Sequence, residues 1–318
     1  MRYVVTGAAG FIGSSVCDVL LEGGHEVVGI DCFTDYYPRA IKESNLARAR
    51  AVPAFRFVEL DLAEADVTSI AGDSDGVFHL AAQPGVRESW GAQFATYVRD
   101  GILATQRVLE AARAGGGKRV VYASSSSVYG NAERLPAAET ATLRPISPYG
   151  ISKHAGEELC SAYAAGFGVP AVTLRYFTVY GPRQRPDMAF HRFIKSALTG
   201  TPIRLHGDGS QSRDFTFVAD AVTATVSAMT RGTPGAVYNI GGGARWTVRE
   251  ILGAIGRITG RTLNLLQTDA QPGDVRHTEA DTTKARRELG YSPKSDVMSG
   301  LAEQVAWTRR ALASGVLD

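Results

Sequence analysis

The stretch Thr6-Gly7-Ala8-Ala9-Gly10-Phe11-Ile12-Gly13 constrains the fold of this chain more than any other. It lies between an apolar, β-prone run, Tyr3 to Thr6, and a helical pattern from Phe11 to Gly23 that ends in two glycines. The chain holds 35 glycines, so a Gly-x-x-Gly-x-x-Gly spacing alone arises by chance roughly 0.4 times. Its position makes it informative. Between a strand and a helix, glycines permit a tight turn and let the backbone approach a pyrophosphate. The helix N-terminus, with its unpaired N–H groups and dipole, favours negative charge there. Gly7, Gly10, Phe11, Ile12 and Gly13 are therefore candidate dinucleotide contacts. The alternative is a purely structural glycine-rich turn.

The rest of the first half repeats the strand–helix alternation. Val27–Asp31, Phe55–Leu60, Gly76–Leu80, Arg119–Ala123 and Val169–Tyr176 read as buried strands. Helical patterns at Phe94–Ala114 and Tyr149–Gly166 flank the fifth strand. Continuous apolar strands separated by helices predict a parallel sheet covered on both faces. The expected class is α/β: a Rossmann-type doubly wound parallel sheet with a smaller α/β C-terminal substrate domain. After Tyr176 the texture changes to loops rich in Gly, Pro and Arg, such as Gly181–Asp187 and Gly207–Asp214. The expected division is a dinucleotide-binding unit over 1–176 and a substrate-binding unit over 177–318, with part of 215–245 a candidate to return to the first. Thr247 and Glu250 predict a capping box for a helix ending before Gly260.

Composition excludes several classes. The 34 basic and 32 acidic residues give a net charge of +2, which offers no general attraction to nucleic acid or an anionic membrane. No apolar run reaches the roughly 18 residues that span a bilayer. Cys17, Cys32 and Cys160 match neither a zinc site nor a redox pair, so no metal is expected. Their low, odd count fits a reducing compartment, and the first strand begins too early for a signal peptide. The expectation is a cytoplasmic protein.

Asp31 ends the second strand. A carboxylate there accepts hydrogen bonds from the ribose hydroxyls of NAD and repels the 2′-phosphate of NADP. Asp61-Leu62 follows the third strand, where Asp61 either meets the adenine edge or caps the next helix. Tyr149 and Lys153, four residues apart, share one helix face. Ser124-Ser125-Ser126-Ser127 ends the fifth strand, and strand ends of this kind line the ligand crevice of an open α/β sheet. A free tyrosine has a pKa of about 10. A Lys ammonium and a positive nicotinamide nearby both favour phenolate, which makes Tyr149 a usable base for a sugar hydroxyl. Lys153 is also placed to hold the nicotinamide ribose.

On these residues the chain resembles the extended short-chain dehydrogenase/reductase family over nearly its whole length. The matching stretches are Thr6–Ser14, His79-Leu80-Ala81-Ala82-Gln83, Ser124–Gly130, Ser147–Lys153, Arg175–Arg185 and Gly207–Phe215. Within it, Gln83–Arg87, the run Tyr176–Met188 and Gln211–Phe215 look most like the UDP-glucuronic acid 4-epimerases. The resemblance implies Ser125, Tyr149 and Lys153 as the catalytic group. It implies that Leu62, Leu80, Ala81, Ala82, Gln83 and Tyr176 join the NAD contacts. It implies UDP against Thr178, Phe190, Gln211, Arg213 and Arg276, and the sugar near Pro84, Gly85 and Arg87. The sugar carboxylate is expected near Arg185, Thr178, Ser126 and Ser127. Related dehydratases carry Asp-Glu, and related decarboxylases a Glu, where Ser126 and Ser127 stand here. That departure argues against both reactions. Asp100 stands where relatives usually carry Asn. A homodimer built on the helices flanking the fifth strand is implied by the resemblance alone.

The expected chemistry is 4-epimerisation of UDP-glucuronic acid to UDP-galacturonic acid by transient C4 oxidation, with tightly bound NAD. Arg185 offers a planar fork suited to a carboxylate. A phosphate contact, or an ion pair with Asp187, are its other readings. A 4-epimerase of a neutral UDP-sugar and a dinucleotide-sensing module without turnover remain as alternatives. Retention of Ser125, Tyr149 and Lys153 argues against the module.

Overall fold

The structure, a computed structural model, describes residues 1–269 and 275–317. The first part of the chain runs β1 (Arg2–Thr6), α1 (Phe11–Glu22), β2 (Glu26–Asp31), α2 (Arg39–Arg50), β3 (Phe55–Glu59), α3 (Thr68–Gly72) and β4 (Gly76–His79). Then come α4 (Phe94–Tyr97), a π-helical segment Val98–Leu103, α5 (Ala104–Ala114), β5 (Arg119–Ser125), α6 (Pro148–Phe167) and β6 (Ala171–Tyr176). The remainder is β7 (Val179–Tyr180), α7 (Ala189–Thr199), β8 (Ile203–His206), β9 (Ser212–Asp214), β10 (Thr216–Phe217) and α8 (Val218–Arg231). It continues through β11 (Val237–Ile240), β12 (Arg245–Thr247), α9 (Val248–Thr259), β13 (Leu265–Thr268), α10 (Thr283–Leu289) and α11 (Val297–Ala313).

Seven strands form one sheet in the order β11-β6-β5-β4-β1-β2-β3, and every pairing in it is parallel. Alternate residues of each strand enter different cores, as a sheet buried on both faces requires. Val4, Val77 and Val120 pack with Val108 and Leu109 of α5 and Cys160 of α6. Val5, Phe78 and Val121 face the opposite way, toward Val16 of α1 and Ala221 of α8. Three two-stranded pairs, β10 with β7, β12 with β9 and β13 with β8, complete the described sheets.

Several elements differ from the sequence expectation. β5 runs on to Ser125 because Ser124 and Ser125 stay in register with Arg175 and Tyr176. β6 starts at Ala171 because Pro170 has no N–H for the ladder. The helix expected over Phe94–Ala114 contains the π segment, and π turns cluster at functional sites. The seventh strand, β11, lies within 215–245 and pairs Val237 to Ile240 with Thr173 to Tyr176. The capping box forms as expected, with the Thr247 hydroxyl accepting from the Glu250 amide and Glu250 accepting from the Thr247 amide at 2.7 Å.

Below the C-terminal end of β5 lies a buried ion pair. Arg175 of β6 donates through Nη2 to Glu157 of α6 at 2.6 Å and through Nε at 2.9 Å. The side chains are 4% and 5% exposed. Ser124 donates to the same carboxylate. Arg175 also donates to the Tyr129 hydroxyl at 2.8 Å, which donates to Asn239 of β11 at 2.7 Å. The network therefore joins strand edge, helix and loop. Arg175→Met leaves Glu157 buried without its partner and is expected to cost about 3–5 kcal/mol. Urea unfolding measures it, and a loss below about 1 kcal/mol would show that the pair contributes little.

Candidate active site

β1 has β2 on one side and β4 on the other, so the chain reverses its winding direction at β1. The loops leaving the C-terminal ends of β1 and β4 diverge there and open a crevice. Its volume is about 930 Å³.

The β1–α1 loop forms one wall. Gly7 takes φ +67°, which an L side chain tolerates poorly. A Cβ on Gly13 would collide with the Gly7 carbonyl oxygen, so α1 reaches the loop only because Gly13 has none. Gly10 caps α1 with no side-chain hydrogen bond, and the first turn holds no acidic residue. Its amides are thus left for an external anion. Asn45 of α2 steadies the loop by donating to the Ala9 carbonyl at 3.0 Å. Asp31 accepts from the Ala9 amide at 3.1 Å and the Phe33 amide at 2.9 Å, which aims the carboxylate at the crevice. Burial pushes its carboxyl pKa up, while those amides and Lys42 oppose the shift. An anion cradle with a carboxylate beside it fits a dinucleotide.

Leu62, Leu80, Ala81, Ala82 and Tyr176 line the crevice together with these groups. His79, beneath Leu80, is held between Thr6 at 2.8 Å and Thr105 at 3.0 Å. Burial, reinforced by Lys153, pushes its pKa down to about 3, so the ring is neutral. The Thr6 hydroxyl also accepts from the Leu80 and Ala81 amides at 3.2 and 3.1 Å. Asp61 does not cap the next helix as read, because α3 starts only at Thr68, after Val67. It accepts from the Ala63 amide at 2.8 Å as a turn cap, and it lines the crevice. Arg99 bonds Asp61 and also donates to Asp100 at 2.6 Å. Asp100 is thus one side of an Asp61–Arg99–Asp100 cluster whose two carboxylates line the crevice.

The Ser–Tyr–Lys group assembles at the ends of β5 and α6. Ser147 caps α6 by accepting from the Gly150 amide at 3.1 Å, and Pro148 sits in the first turn. This fixes Tyr149 one turn before Lys153. Gly156 lets α6 lie directly on the Tyr122 hydroxyl of β5, where any Cβ would clash. Lys153 is 5% exposed and donates to the Ala123 carbonyl at 2.8 Å. Burial pushes its pKa down to about 8, with Glu157 opposing. Tyr149 stands edge-on to Tyr97 at 6.2 Å. Ser125 accepts from the Ser127 amide and donates to its hydroxyl, both at 3.1 Å. Ser125, Ser126 and Ser127 all line the crevice.

Burial raises the Tyr149 pKa, and the Ser125 hydroxyl and the Arg185 guanidinium oppose the rise. The Lys153 ammonium, one turn on, is turned onto the Ala123 carbonyl.

Pro84, Gly85, Arg87, Thr178, Arg185 and Phe190 line the remaining wall, with Gln211 and Arg213 beyond. Two expected contacts lie outside it. Gln83 bonds the Tyr97 hydroxyl instead. The Arg276 side chain is exposed, and its carbonyl accepts from the Ser212 amide at 3.1 Å and from Arg213 at 3.0 Å. Of the readings open for Arg185, the ion pair is present. Arg185 donates to Asp187 through Nε at 3.0 Å and Nη2 at 2.9 Å. Sequence reasoning missed Tyr36, Lys42 and Arg204, which also line the crevice. Lys42 is 4% exposed and donates to the Thr34 carbonyl at 2.6 Å. Each comes from a loop, helix or strand that carries no spacing signature, so nothing local marked them.

Residues 3–241 match the NAD dependent epimerase/dehydratase family. An uncharacterized UDP-glucose epimerase of Bacillus subtilis is 44% identical over 311 residues, covering 96% of this chain and 98% of that protein. A UDP-glucuronate 4-epimerase of Thermodesulfobacterium geofontis is 33% identical over 311 residues, covering 96% of each. The crystal structure of UDP-glucuronic acid 4-epimerase from Bacillus cereus, in complex with UDP-glucuronic acid and NAD, superposes with a TM-score of 0.94. It is 41% identical and covers 98% of this chain and 99% of that one. With three quarters of its length inside the family match and these relatives spanning nearly all of it, this chain belongs to the NAD dependent epimerase/dehydratase family.

Proposed function

We propose that this chain is an NAD-dependent UDP-sugar 4-epimerase that converts UDP-glucuronic acid to UDP-galacturonic acid. The Gly7–Gly13 loop and Asp31 hold the dinucleotide, and Lys153 holds its nicotinamide ribose. NAD bound there would supply the hydride acceptor for the sugar C4 and the donor for its return to the opposite face. Tyr149 removes the O4 proton and gives it back, with Ser125 bridging the phenol and the sugar oxygen. Thr178, Phe190, Gln211 and Arg213 hold UDP while the 4-keto sugar turns over.

One observation carries the choice of an acidic sugar. Arg185 lines the same crevice as Ser125 and Tyr149 and stands near enough to the phenol to oppose its raised pKa. A uronate C4 ketone is a β-keto acid, prone to lose carbon dioxide when its C–CO₂ bond lies parallel to the carbonyl π orbitals. Arg185, Ser126, Ser127 and Thr178 would hold the carboxylate away from that orientation. A second reading is a neutral UDP-sugar. It is favoured by the Arg185–Asp187 ion pair, which already satisfies part of the fork, and by the relative named as a UDP-glucose epimerase. Turnover of UDP-glucuronate and UDP-glucose by the purified protein separates the two.

The homodimer is a further proposal. Val98, Leu103 and Ile151 are exposed apolar side chains on the helices flanking β5. Ile151→Asp is expected to give a monomer by light scattering, and an unchanged mass would reject this interface.

Tyr149→Phe keeps the ring and removes the proton acceptor. Loss of turnover with NAD binding retained is expected, and near-normal rates would reject the assignment. Asp31 is expected to make cofactor-free protein bind NAD more tightly than NADP in parallel titrations. Equal affinities would mean that Asp31 does not meet the ribose. A hydrogen bond to a charged group contributes about 1.5–3 kcal/mol, so Arg185→Ala is expected to lose roughly 10- to 150-fold in kcat/KM for UDP-glucuronate. UDP-glucose turnover should fall less, and mass spectrometry should detect a decarboxylated 4-keto pentose nucleotide. Wild-type rates with no such product would remove the support for an acidic substrate.

A further inference from the structure

We propose that Asp187 sets how strongly this crevice prefers an acidic sugar nucleotide over a neutral one, by counter-charging Arg185. The inference rests on the reading of Arg185 as the group that receives the sugar carboxylate.

A guanidinium presents two donor edges to planar anions, Nε with Nη2 and Nη1 with Nη2. Asp187 takes the first, at 3.0 and 2.9 Å. Asp187 is itself held by a residue distant in the chain. The Tyr36 hydroxyl, from the loop after β2, donates to its Oδ2 at 3.3 Å, and the Arg185 guanidinium lies 6.0 Å from the Tyr36 ring centre. All three residues line the crevice. The Arg185 side chain is 18% exposed and that of Asp187 is 31% exposed, so the pair is reachable by a ligand yet screened less than a surface pair.

The consequence is electrostatic. The pair has no net charge, although it retains donors on the second edge. A hydroxymethyl group at the sugar C5 needs only a hydrogen bond and meets no charge penalty. A carboxylate at the same carbon has two routes. It binds the second edge with the Asp187 charge close behind, or it displaces Asp187 from the first. By either route Asp187 subtracts from the attraction of Arg185, because like charges a few ångströms apart in a partly desolvated site repel. Asp187 therefore lowers uronate affinity and leaves neutral-sugar affinity alone. A residue that merely orients the fork would do the reverse.

Asp187→Asn is nearly isosteric, keeps an acceptor for Arg185 and Tyr36, and removes the charge. Calorimetry on NAD-loaded protein is the readout. We expect UDP-glucuronate to bind about 3- to 10-fold more tightly than to wild type, with UDP-glucose within about 2-fold. Unchanged UDP-glucose binding also shows that the variant is folded. Weaker UDP-glucuronate binding would show that Asp187 orients Arg185, and equal shifts for both ligands would show a general change in the crevice. Either overturns the proposal. Tyr36→Phe keeps the charge and removes one contact, so the ratio of the two affinities should stay put. If it moves as far as in Asp187→Asn, loop geometry and not charge is responsible. Arg185→Ala separates the two levels. If it leaves UDP-glucuronate binding intact, the carboxylate reading itself fails. If it weakens that binding while Asp187→Asn does not tighten it, only the role of Asp187 falls.

Discussion

The reversal of strand order at β1 is the constraint on which the rest of the molecule depends. Because β2 and β4 flank β1, the loops after β1 and β4 must part at the C-terminal edge of the sheet. The parting leaves the α1 N-terminus facing a crevice with unsatisfied amides. It also sets β5 beside β4, so Ser125 emerges on the same edge, and α6, packed on β5 through Gly156, brings Tyr149 and Lys153 to it.

Charge inside this edge is managed by pairing or by neutralisation. Arg175 and Glu157 are both nearly inaccessible and hold one another. His79 stays neutral between two threonine hydroxyls. Lys153 donates a hydrogen bond to a backbone carbonyl, and burial lowers its pKa to about 8. Arg185 differs. Its partner Asp187 is partly exposed and sits on the crevice wall, so the pair is open to exchange with a ligand. That contrast marks Arg185 and Asp187 as a ligand-responsive pair and Arg175 and Glu157 as part of the frame.

Much of the fold was legible in the sequence because its signals are local. The six strands of the first half stand within two residues of their expected positions, and the Thr247–Glu250 capping box is in place. Two of the elements that escaped carry weak local signals. Helix α2 has a polar sequence that buries only one side, through Ile41, Lys42, Asn45, Leu46 and Ala49. Strand β11 has four residues and gains its place only by pairing with β6. Most candidate site residues do line one crevice. Gln83 and Arg276 do not: Gln83 bonds Tyr97, and Arg276 meets β9 through its backbone carbonyl with its side chain exposed.

The sequence by itself determined the strand–turn–helix at Gly7–Gly13, the carboxylate at the end of β2 and the one-turn spacing of Tyr149 and Lys153. Each is set by short-range geometry, where glycine freedom, strand length and helical pitch suffice. Tertiary structure alone decided which charges meet. The contact of Tyr36 with Asp187, the bond of Arg99 to Asp61 and the burial of Lys42 beside Asp31 join residues from separate parts of the chain. No local pattern encodes such contacts, because burial and the distance between side chains far apart in the chain exist only once the sheet is assembled.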